Sequence, residues 1–324
     1  MRKMLHFAVF ILVAFIIVKL SAFGWRFSAG FSLVSSEQNK ELSEKLKFHV
    51  HTLAHEIGDR SMFKYEKLLA AEKYIAKDLA SFGYEVEFHE YTISDKVARN
   101  IIAYKQGTQK PDEIIIVGAH YDSCFNPGAN DNASGIAVLL ELARCISDSQ
   151  ISRTIKFIAF VNEEPPFFKT EKMGSRVYAR DAKAKGENIK GVVILETIGY
   201  YSNKLYSQRY PPFFGPFYPN RGNFICVASD FHSRNLLKGL VSNFKKGTQF
   251  PIESITTFGF VPGVDFSDHW SFWQEGYPAV MITDTSFYRS SNYHGRSDTY
   301  EKLNYGSMAE ITRGLCVAVG ELIQ

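Results

Sequence analysis

Only four cysteines occur in the 324 residues, none of them in a C-x-x-C pair, which excludes a cysteine-built zinc module. There is no stripe of one charge sign either: the net charge is +3 with Lys and Arg scattered among acids, so the electrostatic footprint of a nucleic-acid binder is missing. No G-x-S-x-G elbow, P-loop or G-x-G-x-x-G follows an apolar run, which removes α/β-hydrolase, P-loop and dinucleotide chemistry. His55-Glu56 starts like a helical zinc-protease motif, but the second histidine it needs is replaced by Asp59. Disorder is excluded by a composition that is 45% hydrophobic and 22% charged.

Past the N-terminus, long apolar stretches are also missing. At the N-terminus itself, Arg2 and Lys3 precede "MLHFAVFILVAFIIV", broken by Lys19 and followed by Ala22-Phe23-Gly24. This reads as an export segment over residues 1–24, either a signal peptide or a membrane anchor through which the protein associates with the bilayer. The folded part is expected outside the cytoplasm, in a periplasmic or extracellular space. A polar bridge then suggests a linker over residues 25–46, followed by one domain from 47 to 324. Cys124, Cys145, Cys226 and Cys316 are widely spaced, three of them within apolar segments, and most are expected to be buried thiols.

What is present is a repeated alternation. "YEKLLAAEKYIAKDLASFG" has helical spacing and ends on Gly83, and "YEVEFHEY" alternates like a strand. Short apolar runs, "EIIIVGAH", "TIKFIAFVN", "KGVVILETIG", "NFICVASD" and "YPAVMITD", then alternate with helical segments. The pattern predicts an α/β fold with a mixed, mostly parallel central sheet and helices on both faces. Residues 203–222, "NKLYSQRYPPFFGPFYPNRG", break it with a Pro- and aromatic-rich surface excursion, which either lines a pocket, touches a membrane or simply packs.

In such sheets ligands gather beyond the carboxyl ends of the strands. The unusual polar residues lie there: His120 and Asp122 after one run, Glu163 and Glu164 after the next, Glu196 after a third, His294 after a fourth. "HYD" places Asp122 where it can orient the His120 ring, or it is a surface acid beside a strand-end histidine. Asp131, in "PGANDNASG", either caps the next helix, a task Asn132 could perform instead, or faces a ligand. Glu163 and Glu164 would repel unless a cation stabilised them. Asp298 can cap a helix or orient His294, and His269 in "SDHWSFW" is a further candidate.

The ordered set "AHYDS", "PGANDNASG", "NEEP", "LETIGYYS" and "YHGRSDT" resembles the co-catalytic dizinc aminopeptidases, metallopeptidase family twenty-eight, from about residue 48 to the C-terminus. The resemblance implies a zinc-exopeptidase-like single domain over 47–324 and two zinc ions per chain. His120 and Glu196 would hold one ion, Glu164 and His294 the other, and Asp131 both. Glu163 would be the general base, acting on metal-bound water, and the peptide bond after Asp131 would be cis. Glu196 departs from the pattern, where aspartate is usual. The implied reaction is removal of the N-terminal residue from a peptide with a free N-terminus, with Asp122, Asp268, His269 and Asp298 supporting the ligands or the substrate. Two alternatives share the scaffold: a single-zinc glutaminyl cyclase and a non-catalytic receptor-like ectodomain.

Overall fold

The computed structural model describes residues 37–324. Eight strands, β1 (Glu85–Ile93), β2 (Lys96–Lys105), β3 (Lys110–His120), β4 (Arg153–Phe160), β5 (Asn188–Glu196), β6 (Ile225–Ser229), β7 (Ile252–Thr256) and β8 (Ala279–Thr283), form one sheet. Their order is β1-β2-β4-β3-β5-β8-β6-β7. The β4-β3-β5-β8 centre is parallel throughout, whereas β1 on β2, β2 on β4 and β6 on β8 run antiparallel. The sheet is thus mixed, with its parallel part at the centre, where the sequence places its apolar runs. β2 and β7 are not among those runs.

Both faces are covered, which is why the central strands are apolar without alternation. Ile115, Val117 and Ala119 of β3 point into one core layer, and Ile114 and Ile116 into the other. The larger layer is covered by helices α1 (Glu37–His51), α2 (Tyr65–Ser81), α3 (Ser134–Ile146), α5 (Arg234–Gly247) and α7 (Tyr305–Leu322). Helices α4 (Gly174–Ala184) and α6 (His269–Gln274) cover the smaller one. Helix α2 ends where expected, with Gly83 at φ 85° donating its N–H to the Ala80 carbonyl, a conformation glycine adopts without steric cost.

The N-terminal boundary needs correcting. Residues 37–46, expected as linker, are the first turns of α1, and Leu46 is wholly buried against the core. Leu42, Leu46 and Val50 recur at i, i+4, i+8, an apolar stripe that the surrounding Lys and Glu residues obscure in the sequence. The export segment lies outside the described residues. Among those described, no helix is long and apolar enough to cross a membrane.

The cysteine expectation also changes. Cys145 on α3 and Cys316 on α7 form a disulfide, their Cα atoms 6.5 Å apart across 171 residues of sequence, and only Cys124 and Cys226 remain free. The packing of α3 beside α7 on one face of the sheet creates that pair, and no local pattern announces it.

Candidate metal centre

Because β4, β3, β5 and β8 are neighbours running the same way, their carboxyl ends form a single edge. His120 is the last residue of β3 and Glu196 the last of β5. Glu163 and Glu164 follow β4, and the loop after β8 delivers His294. Several of these turns require left-handed backbone: Asn162 at φ 61°, Thr197 at 50° and His294 at 55°. For the β-branched Thr197 this is a rare conformation, and its hydroxyl is fixed by Thr283 and Ser286.

Asp131 sits at the middle of the cluster. Its Oδ1 lies 3.2 Å from His120 Nε2, and its Oδ2 lies 3.2 Å from His294 Nε2. On one side Glu196 Oε2 is 3.2 Å from His120 Nε2; on the other Glu164 Oε2 is 3.1 Å from His294 Nε2. Glu163 Oε2 stands slightly farther off, 3.9 Å from His120 Nε2. The Asp131–Asn132 peptide bond is cis, as the resemblance implies. The choice between capping and ligand-facing roles is resolved by Asn132, whose side-chain oxygen accepts the Gly135 N–H at the start of α3 and leaves the Asp131 carboxylate free.

These donors fit a bound cation better than they fit one another. His120 Nε2, Asp131 Oδ2 and Glu164 Oε1 are buried and make no hydrogen bond, although buried polar atoms are rarely left so. His120, Asp131 and Glu196 each bring one donor atom within 4.8 Å of the others', as do His120, Glu163 and Glu164. Mixed imidazole and carboxylate donors of this kind suit zinc.

Electrostatics agree. Burial and the neighbouring Asp131 push the Glu164 carboxyl up to about 8. Burial, reinforced by Glu196, Glu164 and Asp268, holds Glu163 well above the ordinary carboxylate range, and burial also raises Glu196. For His120, burial opposes the charged form, but the Glu196 and Glu163 carboxylates prevail and raise it. Acids that resist ionisation together are the state a divalent cation relieves.

The supporting contacts are specific. The Asp122 carboxylate accepts the backbone N–H groups of Glu163 and Glu164, each at 3.1 Å, and the Asp122 carbonyl lies 3.2 Å from His120 Nδ1. Asp122 therefore positions the histidine and both glutamates. Asp298 accepts the N–H groups of Asn130 and Asp131, which holds the loop and not His294. Asp268 is fully buried, its carboxyl pushed up to about 7 chiefly by burial. His269 takes a packing role: its Nε2 lies 2.7 Å from the Val264 carbonyl and its ring meets Trp273 edge-on.

Three contributors were not singled out from the sequence. Ser267 donates to Glu196 Oε2 at 2.7 Å. Asn130 bridges Asp284 and the Gly199 N–H. Arg60, wholly buried, donates to five backbone carbonyls, those of Leu53, Gly58, Tyr121, Pro127 and Gly128, and so braces the loop that carries Asp122 and Asp131. Asn130 lies within "PGANDNASG" beside Asp131, which is the only signal; nothing local marks Arg60.

Two openings adjoin the cluster. A cleft lined by Glu163, Glu164, Phe168, Phe266, Tyr293 and His294 leads to it from solvent. Beside it, a largely apolar cavity of about 90 Å³ has Glu196 in its wall and is lined in part by the aromatic excursion, including Tyr210, Phe214 and Tyr218, together with Phe287 and Tyr293. The excursion thus lines a cavity, while Tyr206 and Phe213 at its tip remain exposed.

A family model described as Peptidase family M28 matches residues 100–319. The uncharacterized protein YfbL of Escherichia coli K12 is 37% identical over 282 residues, covering 84% of this chain and 86% of YfbL. Among solved structures, BSAP, a zinc aminopeptidase from Bacillus subtilis, matches with a TM-score of 0.71 at 16% identity, over 87% of this chain and 95% of its own. A glutaminyl cyclase from Fimbriiglobus ruber matches at 0.66 and 19% identity over the same shares. At these identities the two structures speak for the fold alone.

Proposed function

The chain belongs to Peptidase family M28, its curated relatives include a probable zinc metalloprotease of Pyrenophora teres, and on that premise we propose that it is a two-zinc aminopeptidase that removes apolar N-terminal residues. The observation that carries this reading is Asp131, which turns one carboxylate oxygen to His120 and the other to His294. A carboxylate so placed can serve two ions at once. His120 and Glu196 would complete one position and Glu164 and His294 the other.

Zinc, when bound, supplies Lewis acidity that polarises the scissile carbonyl and acidifies water. The protein's own groups supply the rest. Glu163 lies beside the ligand cluster, and its burial makes it a stronger base than a solvated carboxylate. It takes the proton from the attacking water and returns it to the leaving amine. Asp122 fixes the peptide planes of Glu163 and Glu164, so the base and the ligand beside it keep their spacing. The cleft floor is acidic, which favours the cationic α-amine of a free N-terminus, and the aromatic cavity at Glu196 receives the N-terminal side chain.

Arg2 and Lys3 ahead of an apolar run support placing the folded part outside the cytoplasm, and the Cys145–Cys316 disulfide suits an oxidising compartment. The test of activity is metal analysis coupled to a panel of aminoacyl-arylamides. Two zinc ions per chain, and faster turnover of leucyl and phenylalanyl than of glycyl or glutamyl substrates, are expected. Ammonia release from a glutaminyl peptide with one zinc per chain would instead identify a cyclase, and a chain that binds no zinc would identify a non-catalytic ectodomain.

A further inference from the structure

The His294 half of the cluster holds one donor that the two-ion reading does not use. Cys124, a free and half-buried thiol, brings its Sγ within 4.8 Å of a Glu164 carboxylate oxygen and a His294 ring nitrogen, which are themselves within that distance of each other. The turn that carries it is held by Ser123, whose hydroxyl donates to the Asn126 carbonyl, and by the Phe125 N–H donating to the Ser123 carbonyl. Glu164 Oε1 is buried and has no hydrogen-bond partner. Two features therefore bear on this place: a thiol close to two other donors, and a buried oxygen without a hydrogen bond on one of those donors.

We propose that Cys124 is a protein ligand to the ion held by Glu164 and His294, making the two metal positions chemically unlike. This rests on the two-zinc reading and adds to it. The His120 position has only imidazole and carboxylate donors. The His294 position would add a soft thiolate, the thiol releasing its proton to solvent as metal binds. Thiolate selects zinc, cadmium and cobalt over magnesium and manganese, so this position would retain a thiophilic ion where the other exchanges more freely. The other free cysteine, Cys226, lies on β6 in the wall of the apolar cavity, where burial pushes its thiol up to about 12.

Replacement of zinc by cobalt(II) in the full-length protein tests the assignment, because a cobalt–thiolate bond gives a near-ultraviolet charge-transfer band that imidazole and carboxylate do not. Wild type and Cys226→Ser should show the band, and Cys124→Ser should lose it while still taking up cobalt at the His120 position, which also reports that the variant folds. Two bound cobalt ions without the band in wild type, or a band that survives Cys124→Ser, overturns the assignment and leaves the two-ion reading intact. One bound cobalt with the band keeps the Cys124 assignment and overturns the two-ion count. No cobalt uptake overturns both.

Discussion

Asp122→Asn is the perturbation that separates an organised site from a chance gathering of acids. The Asp122 carboxylate is buried and accepts two backbone N–H groups, one oxygen to each of Glu163 and Glu164. Asparagine has the same shape but only one acceptor oxygen, and its NH2 faces the second N–H, leaving a buried donor unpaired. A hydrogen bond to a charged acceptor contributes about 1.5–3 kcal/mol, and an orphaned buried donor costs about 1–3 kcal/mol. A second loss has the same sign: Asp122 is the foremost counter-charge to the fully buried Arg60 guanidinium, which burial pulls down to about 10. Together these predict a loss of about 3 kcal/mol in metal-free protein, a fall in Tm of roughly 5–10 °C. The same change should weaken zinc binding by about 10–100-fold, as removal of ligand-orienting partners does. Thermal unfolding in excess chelator reads the first quantity and a competitive zinc titration the second. A variant whose chelated Tm and zinc affinity both match wild type would show that Asp122 does not hold the site together.

Glu163→Gln should keep its zinc and lose about 10²–10⁴-fold in kcat, the usual contribution of a positioned general base; near-normal turnover by the metal-loaded variant would remove Glu163 from that role. Arg60→Met strips donors from five carbonyls at once and should cost about 3–5 kcal/mol in urea unfolding, with Arg60→Lys recovering little because an ammonium has only three N–H donors. His269 is buried with its pKa lowered to about 4, chiefly by burial. Above pH 6.5 it is neutral in both states and contributes no pH dependence. As pH falls from 6.5 towards 4 the unfolded chain takes a proton that the folded chain refuses, so stability drops by up to about 3 kcal/mol. Urea unfolding of wild type and His269→Phe at pH 7 and at pH 4 should show the gap in stability narrowing by that amount at the lower pH, and a constant gap would contradict it.

How much of this was legible depends on whether a feature is local. The central strands were, since a stretch covered on both faces must be apolar at every position, and the β3, β4, β5 and β8 runs contain little else. The ligands were legible for a related reason: a polar residue at the end of such a run has little to do inside the core, and parallel neighbours bring their ends to one edge. His120, Glu163, Glu164 and Glu196 satisfy that rule. His294 follows the fourth run but fits the rule only loosely, because it lies well past the end of β8 at residue 283, and the motif around it was needed as well. Helix α1 was obscured because a stripe of three apolar residues among Lys and Glu looks like a solvated linker. The disulfide and the Arg60 brace depend wholly on which surfaces meet, and no spacing in the chain encodes that.

The same distinction explains why the two halves of the cluster differ in exposure. His120 is fixed by a ladder strand and wholly buried, whereas the His294 side chain retains 32% exposure on a loop. Ladder hydrogen bonds hold the first half whether or not metal is present. In the second half Glu164 is held by Asp122, and His294 by the Tyr293 ring stacked on it, with centroids 4.0 Å apart, and by its contacts to Asp131 and Glu164. Cys124 is the donor the chain places within reach of His294, so loss of its thiol should be felt at the His294 position and not at the His120 position.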